Sequence, residues 1–170
     1  MSLPRRHARR PLVLRTTEGA TEGIYGLILA MSVIAVSAEH DRSDAGRVGA
    51  AVLVTALVFW LAHVYAHLLG FGVSEERRLT RAAFARGLRD HWSLVAVVVP
   101  LVLILVLGAI GVLPDQASIV AATIGGIVEL AAAGGYAAIR RGAGPLETAV
   151  SATIAAALGL LIVLLKALVH

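Results

Sequence analysis

Long uninterrupted apolar blocks, not amphipathic stripes, dominate this chain. Five stand out, at about 18–38, 48–70, 92–113, 117–139 and 146–168, with short polar or arginine-bearing segments between them. A helix rises about 1.5 Å per residue, so roughly 20 apolar residues cross a ~30 Å hydrocarbon layer. Membrane strands would show shorter alternating segments, and none is present. Backbone amides find no water in lipid, so each block is expected to be a helix. The pattern predicts an all-α, polytopic membrane helical bundle of about five transmembrane helices. Residues 1–17 form a basic cytoplasmic arm, 18–170 a single transmembrane domain, and 71–91 a basic cytoplasmic segment within it.

Composition agrees. Of 170 residues, 58% are hydrophobic and 15% charged, and the mean hydropathy is +0.85, too apolar for a water-soluble domain of this size. A net charge of +4 would suit nucleic acid, but the arginines flank membrane blocks. Arg5, Arg6, Arg9, Arg10 and Arg15 precede the first block; Arg77, Arg78, Arg81, Arg86 and Arg89 follow the second; Arg140 and Arg141 follow the fourth. The other side keeps Arg42 and Arg47, offset by Glu39, Asp41 and Asp44, together with Lys166. This bias predicts a cytoplasmic N-terminus and an outside C-terminus, and contact of the basic segments with anionic headgroups. Arginine in place of lysine and abundant alanine fit a bacterial, multi-pass plasma-membrane protein. The competing reading of the first block is a cleaved signal peptide ending near Val36-Ser37-Ala38, against which stand Glu18 and Glu22 at its start.

The third block, Leu94–Leu113, has no polar group that needs a partner and is expected to face lipid. The fourth and fifth are rich in Gly and Ala. Small residues four apart, as in Gly19/Gly23, Ala121/Gly125 and Ala152/Ala156, allow close helix approach in a packed interior or dimer seam. Ser74-Glu75-Glu76 reads as the start of a short interfacial helix, against the plainer reading of a basic loop that only sets topology.

Ionisable groups within a bilayer cost roughly 2.5–3.5 kcal/mol each on insertion scales, so each needs an explanation. Glu129 lies near the middle of the fourth block; Tyr136 returns to nearly its azimuth, with Ala122, Gly125 and Ala133 on that side. His63 and His67 are i, i+4 in the second block with Trp60 on the same face, a spacing that can hold a metal or relay a proton. Glu18 and Glu22 are i, i+4 in the first, followed by Tyr25, and Glu147 opens the fifth. Under the arginine-derived topology these groups occupy the cytoplasmic leaflet or its border. Glu22, His63, His67 and Glu129 are the leading candidates for a transport or metal site, with Glu18, Tyr25, Tyr136 and Glu147 secondary. Oxygen and imidazole ligands suit divalent iron, manganese or zinc. The plainer alternative is that Glu18, His67 and Glu147 reach headgroup water and His63 bonds a neighbouring helix.

The run Gly19-Ala20-Thr21-Glu22-Gly23-Ile24 resembles the opening of the first helix in the vacuolar iron transporter family. That resemblance implies five helices, a cytoplasmic N-terminus and a dimer exchanging divalent iron or manganese for protons. Glu22 would correspond to the pathway acid, and His63-Val64-Tyr65 to the Gly-Glu-Tyr region of the second helix. The chain departs from the family in having Glu for Asp, His63 for Glu, a short arginine-rich cytoplasmic segment and few methionines.

The reading that follows is a small transporter or channel for a cation, with divalent metal/proton exchange through these groups, acting as a homo-oligomer and without nucleic acid. The alternative is a non-catalytic scaffold or accessory subunit packing through its small-residue faces. An intramembrane enzyme carries less weight: His63-Val64-Tyr65-Ala66-His67 lacks the glutamate of a HExxH motif, and there is no Gly-x-Ser-x-Gly elbow.

Overall fold

The computed structural model describes residues 12–37, 44–75 and 81–169. Of the basic arm, residues 1–11 lie outside what is described and 12–17 are helical, while Glu39, His40, Asp41, Arg77, Arg78 and the side chains of Arg15, Glu18 and Lys166 also lie outside it. Every regular element among the described residues is a helix: α1 (Leu12–Ser37), α2 (Ala45–Glu75), α3 (Arg81–Asp90), α4 (Ser93–Ala96), α5 (Val99–Ala109), α6 (Asp115–Arg140) and α7 (Pro145–Val169). Among the described residues, three stretches are long and apolar enough to cross a membrane, Ala45–Gly70, Asp115–Arg140 and Pro145–Leu165. A fourth is possible if Phe84–Ala96 and Val99–Ala109, bent by 56°, count as one span, and Thr21–Ser37 forms a shorter apolar helix.

The helices stop where local chemistry ends them. Gly111 and Gly142 take φ of +76° and +79°, and amides one residue beyond reach back to Leu107 and Ala138, closing α5 and α6 with left-handed glycine caps. Pro145 then opens α7, where a missing N–H costs nothing. The N-terminus of α2 is satisfied twice. Asp44 Oδ1 accepts from the Gly46 and Arg47 amides, and Asp115 Oδ1, from the first turn of α6, accepts from the Ala45 amide at 3.2 Å.

Contacts fix the helix directions. Gly108 of α5 meets Ala45 and Ser118, while Gly125 and Gly126 of α6 face Leu101, Ile104 and Met31, so α6 runs against α5 and α1. Gly134 and Gly135 face Ser151, Ala152 and Ala155, and Gly159 faces Ile127 and Leu130, joining α6 and α7 in the most extensive pairing of the bundle. Of the small-residue pairs, Gly23, Gly125 and Ala152 therefore lie at helix crossings. The exception to expectation is the third block. One face of it, with Leu94, Val95, Val98, Leu101 and Leu105, is buried as α5 packs between α2 and α6, while Val99, Leu103, Val106, Leu107 and Ile110 are exposed. An apolar run satisfies lipid and protein interior equally, so lack of polarity does not place it outside.

Two other boundaries differ. The third block is not one straight helix: Pro100 cannot donate to the Ala96 carbonyl, and the chain breaks at Val97–Val98. Ser74 and Glu75 lie in the last turn of α2 and do not begin a helix; the apolar run through Phe71-Gly72-Val73 carries the helix past them, and the arginine-bearing α3 starts at Arg81.

Candidate functional site: a carboxylate among imidazoles

Close approach of α1 to α4 builds the site. The α1 face presents Gly19, Gly23 and Gly26; a Cβ at Gly26 would lie 2.6 Å from the Leu94 carbonyl oxygen, and one at Gly23 would lie 3.1 Å from a Val97 methyl. Bare backbone on one side lets the short α4 lie directly on α1, and Glu22, one turn before Gly26, faces the chain just ahead of α4.

That chain carries His91. Helix α3 passes into α4 through a tightened turn, in which the His91 amide still reaches Gly87 and the Trp92 amide bonds Arg89. Gly87 itself packs on Val64 and Leu68 of α2, so the turn is held between α1 and α2. Glu22 and His91 are 8% and 7% exposed. His91 Nδ1 lies 2.5 Å from Glu22 Oε1, and Ser93 Oγ donates to Glu22 Oε2 at 2.9 Å. A buried carboxylate needs such partners, because desolvation without them costs several kcal/mol; with Nδ1 as the donor, the contact is a charge-assisted hydrogen bond.

His63 approaches from α2, its Nε2 3.7 Å from Glu22 Oε1. One ligand atom each from Glu22, His63 and His91 lie within 4.8 Å of one another. His67, one turn along α2, stands edge-on to His91 with ring centroids 4.5 Å apart, and His63 does so at 4.9 Å. On the flank, Trp60 packs edge-on against Trp92 at 5.2 Å, and among the described residues its buried indole N–H has no hydrogen-bond partner. One carboxylate and three imidazoles from three separate segments thus meet at one end of an apolar bundle. They offer the mixed oxygen and nitrogen donors that transition-metal cations take.

Of the residues singled out in the sequence, Glu22, His63 and His67 are brought together. Glu129 is not among them. It lies half-buried on α6, and among the described residues it has no hydrogen bond or ion pair. The crossing of Gly126 with Met31 explains the separation. Glu129 is three residues along antiparallel α6 from that crossing and Glu22 nine residues along α1, which leaves them roughly 9 Å apart in depth at about 1.5 Å per residue. Tyr25, Tyr136 and Glu147 are exposed, and Tyr136 lies under the Arg140 guanidinium at 5.9 Å from its ring centroid.

The sequence reading missed His91 and Ser93. Both border the third apolar block beside an arginine-rich stretch, where a polar residue reads as loop. Their signal was position alone: they sit at the same end of their block as the candidate residues of the first two helices. Comparison of the chain with protein-family models, with curated proteins and with solved structures gives no match.

Proposed function

We propose that this chain is a small membrane transporter or channel for a cation, with divalent iron, manganese or zinc as the ions its ligand set suits. The observation that carries this reading is Glu22, a carboxylate buried in an apolar bundle and set against His91 and His63 from two other segments. An ionisable residue at membrane depth is costly, and cation pathways are where such a cost is offset by function. The ligand atoms need modest side-chain rotation to hold one ion, since metal–ligand bonds of about 2.0–2.2 Å place donors roughly 3.3–3.6 Å apart. A cation entering there competes with the hydrogen bond between Glu22 and His91, which gives a physical route to exchange against protons.

The topology belongs to the same proposal. Five crossings place the arginine clusters, and with them the Glu22 site, on the cytoplasmic side. The likeness of Gly19–Ile24 to the vacuolar iron transporters supports Glu22 as the pathway acid and a homodimer as the working unit. In this reading His63 stands where that family has glutamate.

Reconstitution tests the proposal. Proteoliposomes containing the full chain are expected to take up Fe²⁺, Mn²⁺ or Zn²⁺ with a proton flux in the opposite direction, and Glu22→Gln to abolish uptake while the protein remains folded. Absence of flux for every ion, with copurification of a larger membrane partner, would replace this reading with that of an accessory subunit.

A further inference from the structure

We infer that His67 is the fourth ligand of a tetrahedral metal site, closing Glu22, His63 and His91 into a three-imidazole, one-carboxylate centre that selects zinc-like transition ions over Mg²⁺ and Ca²⁺. The inference rests on the cation reading above and narrows its substrate class.

Helix geometry puts His67 on the His63 face of α2, one turn along. The ring separations fit a shared ion. Two imidazoles bound to one tetrahedral metal at about 2.0–2.1 Å have ring centroids roughly 5 Å apart. His63 and His67 stand 4.9 Å and 4.5 Å from His91, each steeply inclined to it at 77° and 73°.

The burial of the four residues is graded. Glu22 and His91 are buried, the His63 side chain is 36% exposed, and His67 is exposed. The first two are held by each other and by Ser93; Glu22, His63 and His91 already bring ligand atoms within 4.8 Å of one another, and exposed His67 would join them by turning from its present contacts. A buried pair with an exposed imidazole beside it would meet an ion first at His67 and enclose it at Glu22. Three nitrogen donors and one carboxylate oxygen match borderline ions. The harder Mg²⁺ and Ca²⁺ favour an all-oxygen shell of six or more ligands, and one carboxylate with three imidazoles would offer them a single carboxylate and no other protein oxygen.

Cobalt(II) is the probe, because its visible d–d bands are intense when four-coordinate and weak when six-coordinate. The full chain in detergent is expected to bind one Co²⁺ with intense bands, to release it to Zn²⁺, and to keep it against a large excess of Mg²⁺ or Ca²⁺. His67→Ala is expected to weaken binding by about tenfold or more and to shift the bands as a water oxygen replaces an imidazole nitrogen at the fourth position. The chain has no cysteine, so His67→Cys supplies a signature that a structural role would not produce. It should restore the affinity and add a thiolate-to-cobalt charge-transfer band. Unchanged bands and affinity in His67→Ala, with no charge-transfer band in His67→Cys, would overturn the assignment. Four-coordinate binding without flux in proteoliposomes would overturn transport and leave the site standing. Flux with a six-coordinate spectrum would do the reverse.

Discussion

Gly26 and Leu94 meet backbone to backbone: the α1 glycine has no room for a Cβ because the Leu94 carbonyl oxygen would be 2.6 Å from it. This contact sets the distance between the helix carrying Glu22 and the segment carrying His91. Gly26→Ala is therefore expected to cost about 1–3 kcal/mol through overpacking and to weaken metal binding, as α4 is pushed off α1. Thermal unfolding in detergent and a Co²⁺ titration read the two effects separately.

Pro100 acts on the same segment from the other side. Restoring an N–H with Pro100→Ala permits a bond to the Ala96 carbonyl and straightens the 56° bend. The expected result is equal or higher thermal stability with weaker metal binding, since His91 and Ser93 move relative to Glu22. Binding that survives a verified straightening would show that the bend does not position the site.

Ser93→Ala removes one of the two hydrogen bonds to the Glu22 carboxylate. A bond to a charged group contributes about 1.5–3 kcal/mol, so the unfolding midpoint should fall even without metal. Saturating Zn²⁺ should recover much of the loss, because a bound ion takes over the charge that Ser93 helped to hold.

Glu129→Gln separates two roles. Glu129 lies outside the Glu22 group, so Co²⁺ affinity should stay within about twofold of the parent protein, a change well under 1.4 kcal/mol. Cation flux should nevertheless be lost if Glu129 lies further along the path. A variant with full flux would remove Glu129 from the mechanism.

Asp115→Ala probes the far end of the bundle. Its carboxylate caps α2 through the Ala45 amide, and loss of such a cap costs about 0.5–2 kcal/mol. Thermal stability should drop while metal binding is unaffected, which makes this variant the control for destabilisation without damage to the site.

The sequence by itself determined that the chain is helical and suited to a membrane, because block length, hydropathy and the backbone's need for internal hydrogen bonds leave few other solutions. It also marked Glu22, His63 and His67, since ionisable groups stand out against an apolar background. Tertiary structure alone decided which of them meet. Glu129 looked the strongest candidate by depth and lies apart, while His91, one residue outside an apolar block, holds Glu22 directly. Hydropathy reports only how a segment partitions between water and oil. Which side chains touch depends on helix crossings, here the bare glycine face of α1 against α4 and the turn between α3 and α4, and those depend on shape at single positions. The same reason explains α5, whose uniform apolarity gave no sign that one face packs in the core while the other stays exposed.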